Sequence, residues 1–126
     1  MTFFHGTRRN TLAAHAGLCL TSDVAAAAQY GRGQSFRVEA DLSGLNSRSF
    51  VVGQADRDNN RYPGDTDEQV AELVADGVDY IVYDDQTEQG REHDCYRLLS
   101  LAALARLDVA SAVLVDRDGD EVANEE

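Results

Sequence analysis

Lysine is missing altogether. All 11 basic residues are arginine, set against 23 acids for a formal charge of −12. A surface this acidic repels phosphate backbones, which disfavours direct nucleic-acid binding. It suits a basic partner, or a solvated surface in a chain that avoids lysine. Cysteine is scarce: Cys19 and Cys95 lack metal-ligand spacing and lie far apart in the sequence. A disulfide scaffold is thereby excluded, and a reduced compartment with both thiols buried is expected. No apolar run approaches the roughly 20 residues that cross a bilayer. Met1-Thr2-Phe3-Phe4-His5 has neither the basic start nor the long apolar stretch of a signal peptide. The expected location is the cytoplasm, with no membrane partner. Repeats, low-complexity tracts and linkers are absent too.

What is present is globular material. A chain of 126 residues with 43% hydrophobic and 27% charged residues suits one domain with one core. Thr2 to Gly6 reads as a first strand and Arg8 to Ala16 as one or two helical turns ending at Gly17. Leu18 to Leu20 reads as a short strand. Thr21-Ser22-Asp23 supplies a helix cap, Val24 to Tyr30 the helix and Gly31 its stop. Phe36, Val38, Ala40 and Leu42 alternate with Arg37, Glu39 and Asp41, the period of a half-buried strand over 35–42. Asn46 to Gly64 is loop-like apart from Phe50-Val51-Val52. Asp65 or Thr66 then caps a helix to about Asp76, with Val70, Leu73 and Val74 on one face. Val78 to Tyr83 reads as a buried central strand. Cys95 to Leu101 and Ser111 to Val115 are further strand candidates, and 98–107 is equally compatible with helix. The expectation is an α+β single domain over residues 1–115 and an acidic tail over 116–126.

Several chemistries are excluded by what the motifs lack. There is no Walker loop, and Phe36 stands where a dinucleotide fingerprint beginning at Gly31 and Gly33 needs its third glycine. His5, His15 and His93 form no metal pair. Asp56-x-Asp58-x-Asn60 has Arg61 where a calcium loop turns on glycine, and Asp116-x-Asp118-x-Asp120 lacks the distal glutamate. Both read as solvated acidic loops, and no metal is expected.

Three segments remain. Phe4-His5-Gly6-Thr7 ends a strand on a histidine and a glycine whose backbone no side chain covers. Gly17-Leu18-Cys19-Leu20-Thr21-Ser22 leads into the helix that ends at Tyr30. In Val78-Asp79-Tyr80-Ile81-Val82-Tyr83-Asp84 an acid opens an apolar strand. Such an acid is either a cap or a functional group, because burying a lone carboxylate costs several kcal/mol.

In this order the three segments resemble the ADP-ribosyltransferases, in the diphtheria-toxin-like branch with a His-Tyr-acid triad. The third is similar to the Asn-Glu-Tyr-Ile-Val-Tyr-Asp stretch of poly(ADP-ribose) polymerases, with Asp79 at the place of the catalytic glutamate. The second matches the family's strand and tyrosine-ended helix, and the first its histidine-glycine opening. Size, pattern and charge are also similar to small phage-encoded ADP-ribosyltransferases that disarm bacterial CRISPR complexes. The resemblance implies split antiparallel β-sheets with short helices, and NAD as co-substrate. It implies His5, Tyr30 and Asp79 as catalytic residues, and His5, Gly6, Thr7, Thr21, Ser22 and Tyr30 as the NAD-binding set. His5 would bond a ribose hydroxyl, the Gly6 backbone would pair with the carboxamide, Tyr30 would stack on the nicotinamide, and Asp79 would stabilise the ribosyl cation.

Three departures stand against it. Asp79 is a methylene shorter than glutamate, Ala27 stands where many relatives place serine, and Cys19 where polymerases carry a second tyrosine. The expected activity is transfer of a single ADP-ribose to a macromolecule, a protein that is basic or binds nucleic acid. NAD hydrolysis, an inactive NAD-binding relative, and a non-enzymatic acidic inhibitor seated in a basic groove remain alternatives. Taken singly, His5, Tyr30 and Asp79 each have an ordinary structural use.

Overall fold

The computed structural model describes residues 1–7 and 12–122. Their order is β1 (Thr2–Gly6), β2 (Leu18–Leu20), α1 (Val24–Tyr30), β3 (Gln34–Ala40), β4 (Ser47–Phe50), α2 (Gln54–Asp58), α3 (Asp67–Ala75), β5 (Tyr80–Gln86), β6 (Glu92–Leu98), α4 (Leu101–Ala105) and β7 (Leu107–Asp116). The fold is mixed α+β. One sheet has the order β1-β3-β7, the other β2-β6-β5-β4.

Strand alternation decides what each face of the second sheet does. Leu18, Leu20 and Leu98 point toward the first sheet. There they pack with Phe3, Val38, Ala40 and Leu107 in a core that Ala103 of α4 closes. Phe3 and Tyr96 meet edge to face with ring centroids 5.0 Å apart. The opposite face carries Cys19, Cys95, Ile81 and Tyr83, in a second apolar cluster with Val52, Val78 and Leu99, against which Tyr62 and α3 residues Val70 and Leu73 pack. Each fully buried aliphatic side chain in these clusters contributes about 1.5–3 kcal/mol of transfer free energy.

The two sheets touch where Phe4 and Thr21 exchange backbone hydrogen bonds of 2.7 and 2.9 Å. Helix α1 packs on β1 and β3. Its Asp23 cap accepts from the backbone N–H of Ala25 and Ala26 at 3.0 and 3.3 Å. Buried Ala26, Ala27 and Ala28 let it lie close to the strands.

Several expectations are corrected. The polar segment after Asn46 contains β4 and α2, and β4 pairs with β5 in parallel, so the second sheet is mixed rather than antiparallel. Residues 12–16 hold no helical turn, while 8–11 lie outside the described residues. The acidic C-terminal stretch does not simply trail away. Asp116–Val122 folds back on β7 through a Val115–Glu121 bridge and a Val122 N–H to Leu114 O bond of 2.9 Å. Arg37 holds Glu121 at 3.4 Å. Residues 123–126 lie outside the described residues.

Candidate active site

A cleft of about 230 Å³ opens where the edge of β1 and the end of α1 meet the second sheet's outer face. Pockets for whole drug-sized ligands run to roughly 300–1,000 Å³. This cleft suits one ring-sized group, with anything attached lying outside.

Strand β1 supplies His5 and Gly6. The His5 Nδ1–H donates to the Cys19 carbonyl at 2.8 Å, which leaves Nε2 as a bare acceptor in the neutral ring. Burial holds the His5 pKa below its ordinary 6.5, against the opposing pull of that backbone bond, so the ring is neutral at pH 7. Gly6 sits two residues past Phe4, whose backbone groups turn toward Thr21 rather than β3. The Gly6 N–H and C=O therefore turn the same way, toward the cleft side of the strand. No larger residue fits there: a Cβ on Gly6 would meet the Ala27 carbonyl at 2.4 Å and the Tyr30 Cβ at 2.8 Å.

Helix α1 ends at the cleft with Tyr30, 43% exposed. Its hydroxyl lies 2.9 Å from His93 Nε2 and 3.2 Å from Asp85 Oδ2. The Tyr30 and His93 rings meet edge to face with centroids 5.5 Å apart. Burial, and then the Asp85 carboxylate, push the Tyr30 pKa upward, so it remains a neutral donor. Asp85, His93, Cys95, Tyr83 and Arg97 come from the paired strands β5 and β6, where Asp85 faces His93 and Tyr83 faces Cys95.

The floor is a thiol cluster. The Cys19 and Cys95 sulfurs are 2.8 Å apart, Arg97 Nε is 3.2 Å from Cys19 Sγ, and the Tyr83 hydroxyl is 3.5 Å from it. Arg97 also donates to the Tyr83 hydroxyl at 2.9 Å and the Gly64 carbonyl at 2.8 Å, tying the loop bearing Tyr62 to the floor. The Cys95 S–H bond and the Arg97 charge, opposed by burial, bring the Cys19 pKa down to about 6. Burial, then Cys19 itself, push the Cys95 thiol up. Burial opposes the charge on Arg97, but Cys19 and Tyr83 outweigh it and raise the Arg97 pKa. The two cysteines are thus in contact, and Cys19 is half-buried rather than buried as expected.

The expected site residues divide. His5, Gly6, Thr21 and Tyr30 line one cleft although they come from separate segments. Buried Thr21 also caps the turn, its hydroxyl accepting from the Asp23 N–H at 3.1 Å. Thr7 and exposed Ser22 do not line the cleft. Neither does Asp79. It precedes β5 at the end away from Tyr30, and its carboxylate accepts from the Ser100 hydroxyl at 2.6 Å and the Asn46 N–H at 3.0 Å. These two bonds hold its pKa below the ordinary carboxylate value. Of the two uses open to an acid at that position, the cap is the one it makes. The cleft's carboxylate is Asp85, which the sequence analysis did not single out. Its signal was parity: residues 79, 81, 83 and 85 share a strand face.

Asp116, Asp118 and Asp120 bring carboxylate oxygens within 4.8 Å of one another. Asp116 Oδ1 already accepts from the N–H groups of Asp118 and Asp120, the ordinary work of an aspartate in a turn. Among the described residues, no helix is long and apolar enough to cross a membrane. No protein-family model, curated protein or solved structure matches the chain.

Proposed function

We propose that the cleft binds the nicotinamide end of NAD and that the protein is a mono-ADP-ribosyltransferase with an ADP-ribosyltransferase-like fold. The reading is carried by one observation: His5, the cleft-facing Gly6 backbone, Tyr30 and Asp85 surround a single ring-sized cleft. Tyr30, Tyr62 and one carboxylate line it, while Tyr83 on the floor already holds the Arg97 guanidinium over its ring. Aromatic faces and a nearby carboxylate attract a flat cation, which is what the nicotinamide ring of NAD is. The Gly6 N–H and C=O match a carboxamide donor for acceptor, and His5 Nε2 accepts from a ribose hydroxyl.

The acid in this reading is Asp85, not Asp79. As the bond between nicotinamide and ribose breaks, its electron pair leaves with the ring, which becomes neutral, and positive charge passes to the sugar. Asp85, steadied by the Tyr30 hydroxyl, stabilises that charge where it develops. A nucleophile of the target closes the new bond and gives up its proton. Glu92 and Asp94 share a neighbouring recess with Asp85 and form an acidic rim that favours a basic protein as target, while Asp84 beside them is already paired with Arg57.

The test is nicotinamide release and adduct formation, by mass spectrometry, with NAD and a bacterial lysate as the source of acceptors. Wild type and Asp79→Asn should release nicotinamide and label a protein. Asp85→Asn should lose on the order of 100-fold in rate. Release without an adduct identifies a hydrolase. Release that survives Asp85→Asn but not Asp79→Asn rejects the assignment of the acid. No release and no adduct rejects the transferase and leaves the acidic inhibitor, which the rim carboxylates also suit.

A further inference from the structure

The NAD reading makes no use of the most unusual chemistry in the cleft, the pair of thiols on its floor. Cys19 lies on β2 and Cys95 on β6, and the register pairs Cys19 with Arg97. The cysteines are therefore diagonal neighbours on one sheet face. Their sulfurs are 2.8 Å apart, against about 2.05 Å in a disulfide. The two are not equivalent. Both line the cleft, but Cys19 is half-buried with the Arg97 guanidinium at its sulfur, whereas Cys95 is only 2% exposed.

We infer that Cys19 and Cys95 form a reactive dithiol in which Cys19 reduces a hydroperoxide entering the cleft and Cys95 resolves the product to an intramolecular disulfide. The Cys19 thiolate attacks the terminal oxygen of the hydroperoxide and the O–O bond breaks. Cys19 becomes a sulfenic acid, and the alkoxide takes up the proton that the thiol gave up on ionising. Arg97 stabilises the thiolate before attack and is placed to stabilise the departing alkoxide. The Cys95 sulfur then attacks Cys19 Sγ, the S–O bond breaks, and hydroxide leaves with the Cys95 proton as water. Two thiols lose two electrons, and the hydroperoxide becomes an alcohol and water. The lowered pKa of Cys19 and the raised pKa of Cys95 agree with this order of attack. This chemistry is independent of NAD.

The experiment treats the reduced full chain with one equivalent of hydrogen peroxide, without added reductant, and reads intact and peptide masses under non-reducing conditions. Wild type should lose about two mass units as two thiols become one disulfide. A peptide linking Cys19 to Cys95 should appear. At pH 7 the reaction should run on the order of tenfold faster than that of free cysteine, since the thiolate is already formed. Cys95→Ser should stop at a Cys19 sulfenic acid that a dimedone probe captures, and Cys19→Ser should consume no peroxide at a comparable rate. The wild-type measurement stands even if a variant fails to fold. A wild-type chain that keeps both thiols while free cysteine is consumed overturns the inference. So does a disulfide formed only between chains, or a sulfenic acid found first on Cys95.

Discussion

Asp79 and Asp85 share the parity of β5, with Ile81 and Tyr83 between them on the same face. At about 3.3 Å per residue they stand roughly 20 Å apart along the strand. Asp79 joins the start of β5 to Asn46 and Ser100, while Asp85 meets Tyr30. Sequence reading recovered the strand and singled out the acid at its start, because only the pairing with β6 brings His93 beside Asp85. His5 offers a test at this scale. Burial keeps its folded pKa below 6.5. As pH falls, the unfolded chain therefore takes the proton first. The stability held by neutral His5 is complete above about pH 6.5 and is lost as pH falls through the lowered folded value. The urea midpoint of wild type should thus fall more steeply below about pH 6.5 than that of His5→Asn. Parallel curves would mean that His5 titrates as an exposed histidine does.

Helix α1 and strand β1 are joined by close approach rather than by large side chains. Buried alanines face the strands, and Gly6 lies under the Ala27 carbonyl. Gly31 is held as tightly: a Cβ there would fall 1.9 Å from the Gln34 carbonyl. Both elements were readable, α1 from its cap, alanine run and closing glycine, β1 from its opening apolar residues. Gly6→Ala should cost about 1–3 kcal/mol in urea unfolding, because the atoms it meets are helix backbone and the first atom of a side chain. An unchanged midpoint would show that α1 can slide away freely. By contrast, β4 and α2 were not legible. Ser47–Phe50 is short and mostly exposed, and no residue of α2 is buried, so neither carries an apolar period to read. Their positions come from pairing with β5 and from the Asp84 carboxylate, which accepts from the Val52 N–H at 2.8 Å and pairs with Arg57.

Across the whole molecule the acids are in large excess over the arginines. Unscreened like charges work against the compact state. Raising ionic strength from about 10 to 150 mM shortens the screening length from about 30 to about 8 Å. The thermal midpoint should therefore rise across that range at pH 7, as differential scanning calorimetry would record. A falling midpoint would mean that attractive pairs, such as Arg91 with Asp23 at 2.7 Å, outweigh the repulsion.

By itself the sequence determined the α+β class, the half-buried strands, the capped helices and the nomination of His5, Gly6, Thr21 and Tyr30. These follow from local periodicity, capping and backbone freedom, which act over a few residues. Tertiary structure alone decided that Asp85 rather than Asp79 joins them, that β4 runs parallel to β5, and that thiols 76 positions apart meet on one floor. Each of these depends on which strands pair and in what register. That is a property of the packed sheets, set by burying both faces of the second sheet at once, and no short stretch of chain carries it.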